Sequence, residues 1–315
     1  MNVRLFDPTD TEYDAIVAVH NAACPTQPVD VALMRQADAR RKPKFFFERY
    51  VAEMDGQVVA MGTIGHTPWS YRPKKFIIDW VCHPDWEESA DIAFFTDLYE
   101  RLLTRSPEKV LAYIREDQLR RIHHLTKLGF EQSLVDAYSA LMVGDFNFDA
   151  YGDLPAYLES QGVRIVTMSE LEQSSDDGWV VRLESAEWEI LQDVPQEEAF
   201  TRGTVAEWME GNNDPRRPHD GYFIAVNNEG EFVGVSYLKR GAENVFYTGF
   251  TGVKRNWRRK GVATALKVRA IEYAHRMGVH TIQTDNEENN PMYALNMQLG
   301  FKPLPSWSDY IKVFS

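Results

Sequence analysis

The sequence contains the same pattern twice at a fixed separation, and this internal repeat limits the folds that the chain can adopt. Leu128-Gly129-Phe130 recurs 171 residues later as Leu299-Gly300-Phe301, and the helical periodicity of residues 93–102 recurs at residues 264–273. The two copies align over this stretch without a gap. Because each copy has the length of an ordinary domain, the 315 residues are predicted to form two domains of one fold in tandem.

The segment between the two copies mixes turn-forming and aromatic residues. It begins at Gly144 and includes Phe146, and this composition is typical of a connector that is docked on a domain. We therefore expect a first domain over residues 1–143, a connector over residues 144–162 and a second domain over residues 163–315.

The second copy contains a dense cluster of cations in front of a predicted helix. Five Lys or Arg residues lie between positions 254 and 260, directly before Gly261. Residues 245–253 have the pattern of a strand, and the residues after Gly261 have the period of a helix. The free backbone N–H groups and the dipole of such a helix favour an anion at its N-terminus, and Gly261 lets a ligand oxygen approach closely. The loop is therefore predicted to bind a pyrophosphate, with a solvated basic turn or a nucleic-acid contact as the alternatives.

The spacing of this loop resembles a known family signature. Arg258-x-x-Gly261-x-Ala263 is similar to the Arg/Gln-x-x-Gly-x-Gly/Ala signature of the GCN5-related N-acetyltransferases, the GNAT superfamily. A strand, a second helix that is expected to begin at Pro291 with Asn290 as its cap, and a Gly-Phe stop follow in the order that this family requires, so the resemblance covers residues 244–301. The glycine patterns of a Walker loop and of a dinucleotide-binding fold do not occur in the sequence.

The resemblance implies the fold, the acyl donor and the residues that bind it. In this family each domain is an α/β (α+β) structure, with a mixed and mostly antiparallel sheet flanked by helices, and the donor is acetyl-coenzyme A (acetyl-CoA). The chain would be a tandem two-domain member in which the C-terminal domain binds acetyl-CoA. The positions implied in cofactor binding are Thr251, Val253, Arg258, Arg259, Lys260, Gly261, Val262, Ala263, Thr264 and Asn289.

One position departs from the family pattern in a way that affects the mechanism. The tyrosine that the resemblance implies as general acid falls on Asn296. An amide cannot give up a proton, but it can donate a hydrogen bond to a sulfur or to a thioester oxygen. Tyr293, one turn earlier, is a substitute candidate, with a packing role as the alternative.

The base that deprotonates the acceptor amine is less well specified by the sequence. Asp285, Glu287 and Glu243 are the carboxylates closest to the predicted site along the chain. Each has the alternative of being an exposed loop acid. Positioning of the two reactants can supply much of the rate, so an identifiable base is not obligatory.

The first copy lacks the chemistry of the cofactor loop. The repeat offset places Glu87, Glu88 and Ser89 where the second copy has Arg258, Arg259 and Lys260, and it places Ala90 where the second copy has Gly261. Two carboxylates at a helix N-terminus would repel a pyrophosphate. The first copy is therefore predicted to be degenerate, with a role in packing and in shaping the substrate entrance.

Composition excludes several other classes of protein. The net charge of −13 argues against a nucleic-acid partner, and no apolar run is long enough to span a bilayer. With no signal peptide, a cytoplasmic location is expected. Cys24 and Cys82 do not form a disulfide framework, and the histidine spacing gives no support for a metal. An acidic surface would suit a cationic amine.

These observations leave three hypotheses. The first is an acetyl-CoA-dependent N-acetyltransferase that acts on an amine of a small molecule or peptide. The second is an acyl-CoA-binding sensor or scaffold with little or no turnover, which the missing tyrosine favours. The third is a purely structural pair of domains. The acceptor and the oligomeric state cannot be read from the sequence.

Overall fold

The computed structural model describes residues 1–25, 27–196, 198–241 and 244–314. Within these ranges the chain forms strands and helices that alternate along the sequence. The strands are β1 (Asn2–Leu5), β2 (Phe47–Met54), β3 (Gln57–Gly65), β4 (Lys75–Cys82), β5 (Lys109–Arg115), β6 (Glu131–Met142), β7 (Val163–Thr167), β8 (Tyr222–Asn227), β9 (Phe232–Arg240), β10 (Val245–Val253), β11 (Thr281–Glu287), β12 (Lys302–Pro303) and β13 (Trp307–Val313). The helices are α1 (Asp10–Ala23), α2 (Val31–Ala39), α3 (Ile92–Leu103), α4 (Leu119–Lys127), α5 (Leu154–Ser160), α6 (Met168–Glu172), α7 (Trp179–Leu191), α8 (Val205–Asn212), α9 (Val262–Arg276) and α10 (Pro291–Gln298).

The chain divides into two compact units. The N-terminal unit contains Met1–Val135 together with the segment that begins at Pro305, and the C-terminal unit is Asp136–Leu304. In the N-terminal unit the strand order is β1-β2-β3-β4-β5-β13. The neighbours are antiparallel, except that β4 and β5 run parallel.

The C-terminal unit repeats this arrangement. Its strand order is β6-β11-β10-β9-β8-β7, in which β10 and β11 form the parallel pair and the other neighbours are antiparallel. Both units therefore have the mixed, mostly antiparallel sheet flanked by helices that was expected.

The internal repeat is present in the structure. Shifted by the repeat offset, β4, α3, β5 and α4 of the first copy fall on β10, α9, β11 and α10 of the second, within one or two residues at each end. The prediction of two tandem domains of one fold is confirmed.

The compact units do not follow the predicted extents of the two copies. Strand β6 ends the first copy, but from Asp136 onward it pairs with β11 in the C-terminal unit. Strand β13 ends the second copy, but it pairs with β5 in the N-terminal unit. The edges of β5 and β11 need an antiparallel partner, and the hydrophobic pattern does not say which copy supplies it. The domain boundaries 1–143 and 163–315 therefore remain a prediction, drawn from the extent of each sequence repeat.

The core of the C-terminal unit lies on both faces of its sheet. Leu266 and Ala274 of α9 pack on one face against Ile282 of β11, because the apolar residues of α9 recur every three or four positions. On the other face Leu183 and Ile190 of α7 pack against Tyr222, Val235 and Tyr237.

The segment predicted as a connector is part of this unit. Phe146 and Leu158 are buried in the α9-side core, and α5 begins with a proline near its first position. The segment is therefore docked and is not a free linker.

Candidate functional site

The two central strands of the C-terminal unit separate halfway along their length. β10 and β11 pair in parallel only from Val245 to Tyr247, opposite Thr281 to Gln283. The register of β10 against β9 then shifts between Thr248 and Phe250, which marks a β-bulge. A Cβ on Gly249, inside the bulge, would lie 2.0 Å from Cε2 of Tyr237, so this position needs glycine. Beyond the bulge β10 follows β9 alone, and a gap opens beside β11.

The basic loop lies at the open end of this gap. It follows Val253, the last residue of β10, and leads into α9 at Val262. Arg258 donates from Nε to the backbone oxygen of Val253 at 3.0 Å, which fixes its side chain at the mouth of the gap. Arg259 and Gly261 both have positive φ, 61° and 76°, so the loop makes a tight turn into the helix.

The N-terminus of α9 fits a diphosphate. No side chain in the described part of the chain caps this helix, so its first backbone N–H groups are available to a ligand. A Cβ on Gly261 would have Tyr157 as its nearest neighbour, at 3.4 Å, but the positive φ at this position disfavours any other residue. The bare backbone, the helix dipole and the adjacent cations together provide an anion site.

A cavity of about 600 Å³ opens in front of this helix end. It is lined by β10 from Phe250 to Val253, by the loop, by the first turn of α9 from Gly261 to Thr264, by the end of α7 and by α10. A cavity of this size is in the range of small-molecule and cofactor sites.

The cations of the loop have defined partners. Arg255 and Arg258 both donate to the carboxylate of Asp193, and these hydrogen bonds lower its pKa. Lys254 forms an ion pair with Glu189 at 2.9 Å. Asp193 lies just after α7 and lines the cavity, so it holds Arg258 in place while leaving its own negative charge beside the anion site.

Most of the predicted cofactor-binding residues surround the cavity. Thr251, Val253, Arg258, Arg259 and the run 261–264 line it. Two predicted residues do not line the cavity. The ammonium of Lys260 lies 4.5 Å from the ring centroid of Trp257, and the side chain of Asn289 donates to Glu287 at 2.8 Å.

Several lining residues were not identified from the sequence. Ile190 lies in the last turn of α7, and Asp193 and Val194 lie just after it, far from the loop along the chain. Phe250 and Trp257 were predicted only as strand or loop positions. The sequence carried no signal for the contribution of α7, because its helical pattern does not say which end meets the loop. Asn290 and Pro291, which also line the cavity, were predicted as cap and first turn of a helix, and Asn290 does accept from the N–H of Met292 at 3.0 Å.

Asn296, at the position of the expected tyrosine, is fully buried within α10. Its Nδ2 donates to Oδ1 of Asn286 at 2.7 Å, and its own Oδ1 has no hydrogen-bond partner in the described part of the chain. Neither Asn296 nor Tyr293 lines the cavity, whereas Met292 and Leu295 do. One N–H of the Asn296 amide is therefore committed to Asn286.

The predicted carboxylates are in different surroundings. Glu287 accepts from the backbone N–H of Asn289 at 3.0 Å as well as from its side chain, so it stabilises a turn. Asp285 keeps contact with solvent, but the surrounding protein desolvates its carboxyl and Asp136 adds negative charge nearby, and both effects raise its pKa. Glu243 lies outside the described residues. Among the described ones, Asp285 has the environment expected of a base.

Lys267 of α9 is a further ionisable group that the sequence reasoning missed. It lies one helical turn after Ala263, which lines the cavity, and its side chain is only 4% exposed. Its Nζ lies 5.5 Å from the ring centroid of Phe301. Burial lowers the pKa of Lys267 to about 7, although the negative charge of Asp285 acts to raise it. The only signal in the sequence was a single lysine on the apolar face of a predicted helix.

The equivalent loop of the N-terminal unit is occupied by protein groups. Arg120 donates to the backbone oxygens of Glu87 and Glu88 at 3.0 and 2.9 Å. Asp91 is fully buried and accepts from Arg121 and from Nε1 of Trp80. This unit therefore presents carboxylates and a closed loop where the C-terminal unit presents cations and free N–H groups.

The described residues contain no group of three or more His, Cys, Asp or Glu side chains placed to hold a metal ion. Among the helices described, none combines the length and the apolar character needed to cross a bilayer. Cys24 and Cys82 are both free and buried.

Comparison with known proteins agrees with this geometry. Residues 180–301 match the sequence profile of the Acetyltransferase (GNAT) family. No curated protein sequence matches the chain significantly.

Two solved structures share the fold over the whole chain. A tandem GNAT protein from the clavulanic acid biosynthesis pathway is 18% identical with a TM-score of 0.75, covering 99% of this chain and 98% of that one. A GCN5-related N-acetyltransferase from Sphaerobacter thermophilus is 17% identical with a TM-score of 0.72, covering 99% and 95%. At this identity the likeness concerns the fold.

Proposed function

The chain belongs to the GNAT superfamily as a tandem two-domain member, and from this premise we propose that it is an N-acyltransferase that uses acetyl-CoA. The acceptor is an amine of a small molecule or peptide. The active site lies in the C-terminal unit, and the N-terminal unit has a structural role. A cytoplasmic location, without nucleic-acid or membrane partners, stays a prediction from the sequence.

One observation carries this proposal. The uncapped N-terminus of α9, with Gly261 and Arg258 beside it, opens onto the cavity at the gap between β10 and β11. Backbone N–H groups and cations suit a diphosphate, and the unpaired inner edge of β10 beyond the bulge suits an extended amide-bearing arm. The corresponding loop of the N-terminal unit lacks these cations, because Glu87 and Glu88 replace Arg258 and Arg259 there and the nearby Asp91 is paired with Arg121.

The residues divide into binding and proton-handling roles. When bound, acetyl-CoA supplies an acetyl thioester, whose acyl group passes to the amine nitrogen while the thiol is released with a proton. Arg258 and the first turn of α9 hold the anionic end. Asp285 is the candidate base that takes the proton from the amine. Its pKa is raised toward neutral pH, and a carboxylate with a raised pKa binds a proton more readily. Asn296 donates to Asn286 beside the site and does not act as an acid.

Lys267 is a second ionisable group near the site. It is buried one turn below the cavity-lining Ala263, and its pKa near 7 lets it hold or release a proton at neutral pH. We propose that Lys267 serves as a proton reservoir beneath the site.

A sensor without turnover is the second candidate function. The sensor function is favoured by the amide of Asn296, which stands where the family resemblance implies a proton-donating tyrosine. This amide is already hydrogen-bonded to Asn286. Such a protein would bind acetyl-CoA through the same loop.

The test measures binding and turnover separately. Calorimetry with acetyl-CoA, and with coenzyme A as comparison, should show binding to one site per chain. Release of free thiol is then followed with a panel of amines. Amine-dependent thiol release supports the enzyme. Tight binding without amine-dependent thiol supports the sensor, and the absence of binding contradicts both.

A further inference from the structure

Two cations lie close together on the face of the C-terminal sheet that α7 covers. The guanidinium carbon of Arg217 lies 4.7 Å from the ring centroid of Tyr237, and Nζ of Lys239 lies 6.0 Å from the same centroid. The ring of Tyr222 stacks on the ring of Tyr237, with centroids 4.9 Å apart and planes inclined by 20°. Both cations therefore lie beside the same stacked pair of tyrosine rings. Arg217 and Lys239 are referred to below as the cation pair.

The cation pair lacks a neutralising carboxylate in the described part of the chain. Neither member forms an ion pair there, and Nε of Arg217 is buried without a hydrogen-bond partner. Arg217 does donate from a terminal nitrogen to Oδ1 of Asn212 at 3.1 Å, but that acceptor is neutral. Burial, reinforced by the charges of Arg217 and Arg216, lowers the pKa of Lys239 to about 8. Like charges held together in this way are costly unless an anion joins them.

The charged neighbours of the pair are engaged elsewhere. Arg216 is neutralised by Asp214, with an N–O distance of 2.7 Å. Glu187 of α7 accepts from Tyr222 at 2.8 Å and from Trp208 at 2.7 Å, and burial raises its pKa. Neither carboxylate forms an ion pair with Arg217 or Lys239 in the described structure.

The cation pair lies beside the point where the strands separate. Lys239 is opposite Tyr247, the last residue of β10 that pairs with β11. Tyr237 is opposite Phe250, which lines the cavity of the donor site. Asp285 of β11 acts electrostatically on Lys239 from across the gap. The pair is therefore adjacent to the position at which an acceptor amine would meet the donor.

We propose that the cation pair Arg217–Lys239 binds a carboxylate of the acceptor, so that the acceptor is an amino acid or a peptide-like molecule that bears an amine and a carboxylate a few bonds apart. The proposal rests on the N-acyltransferase function proposed above. The guanidinium of Arg217 offers parallel donors that match a carboxylate, and Lys239 adds a point charge. Asp285, across the gap, faces the amine end. A doubly charged phosphate monoester is disfavoured, because Asp285 already adds negative charge near Lys239.

The kinetic test compares acceptors that differ only in the anionic group. The panel consists of the protein L-amino acids, their carboxamides, the corresponding decarboxylated amines, and O-phosphoethanolamine. Amino acids should be preferred over their carboxamides. Arg217→Met and Lys239→Met should each lower kcat/KM for the amino acid by about 10- to 100-fold, with little change for the carboxamide. Arg216→Met, which removes a neighbouring cation that is already neutralised, should preserve the preference.

A binding test separates this inference from the proposed function. The NMR-detected pKa of Lys239 should rise when N-acetylglycine is added, because a bound carboxylate favours the ammonium, and Arg217→Met should abolish the rise. Acetyl-CoA affinity measured on each variant controls for folding.

The outcomes are distinguishable. Thiol release that is equal for amino acids and carboxamides overturns the inference but leaves the enzyme in place, and a preference for O-phosphoethanolamine also overturns it. If no amine releases thiol, the proposed function fails and the NMR test alone decides: a raised Lys239 pKa supports the carboxylate site, and an unchanged one overturns it. A fall of the Lys239 pKa in Glu243→Gln would show that an internal carboxylate already neutralises the pair, and would overturn the proposal.

Discussion

Arg121 and Asp91 form a buried ion pair in the N-terminal unit, with Nε of Arg121 3.1 Å from Oδ2 of Asp91. Their side chains are 7% and 0% exposed. Trp80 donates to the same carboxylate at 2.8 Å. The repeat offset places Asp91 on Val262, the first residue of α9, so at this position the first copy has a buried carboxylate that is already paired within the protein.

Removal of one partner of this pair is expected to destabilise the protein. Asp91→Asn leaves the Arg121 guanidinium buried without a counter-charge, and a loss of about 3–5 kcal/mol in the free energy of unfolding is expected. Chemical denaturation measures it. The double variant Asp91→Leu/Arg121→Met removes both charges and should recover most of the loss. A change below about 1 kcal/mol for Asp91→Asn would mean that the pair is not buried in solution.

Gly261→Asp is expected to abolish the thermal stabilisation by acetyl-CoA. The substitution places a carboxylate at the N-terminus of α9, where the diphosphate would lie, and a non-glycine residue is strained at a φ of 76°. Gly278→Asp is the matched control, because Gly278 follows the other end of α9, also has positive φ, and a Cβ there meets nothing within 4 Å. The ligand-induced change in Tm should persist in the control. Equal effects of the two changes would contradict the assigned site.

Asp193→Asn is expected to strengthen acetyl-CoA binding. The carboxylate of Asp193 lines the cavity and neutralises Arg255 and Arg258, so its removal leaves more positive charge for a diphosphate. An affinity increase of about threefold to tenfold at low salt is expected by calorimetry. Glu189→Gln, which affects only the Lys254 ion pair, should have a smaller effect. Weaker binding in Asp193→Asn would show that Asp193 serves mainly to position Arg258.

Lys267→Met is expected to stabilise the protein in a pH-dependent way. The pKa of Lys267 is about 7 in the folded protein, below its ordinary value of 10.5. Between pH 7 and pH 10.5 the unfolded chain therefore binds more protons than the folded one. As a result, the contribution of this lysine to stability rises with pH across that window. Below pH 7 its burial is most costly, on the order of 5 kcal/mol at the upper limit. The methionine variant should therefore gain most near pH 6 and least near pH 10.

The difference in unfolding free energy between wild type and Lys267→Met, measured at several pH values, isolates this group because all other ionisable groups are common to both. Leu266→Met is the control, since it changes a buried neighbour without removing a charge. A difference that is flat from pH 6 to pH 10 would show that Lys267 is not buried as described.

Local signals in the sequence were sufficient for much of the fold. The strand 245–253, the turn at Gly261 and the helix cap at Asn290 were all predicted from neighbouring residues, because periodicity, glycine conformation and capping depend on a few positions along the chain. The tandem architecture followed from a fixed offset between two copies of the same pattern.

The partners of those elements were decided by the tertiary structure. Asp193 meets Arg258 across 65 residues, Lys239 and Arg217 meet over the ring of Tyr237, and β13 pairs with β5. The sequence by itself determined which segments form helices and strands, and where a cation-rich turn leads into a helix. Only the folded chain decided which charges are buried, paired or left to a ligand, because burial and Coulomb energies depend on distances in space that no local pattern encodes.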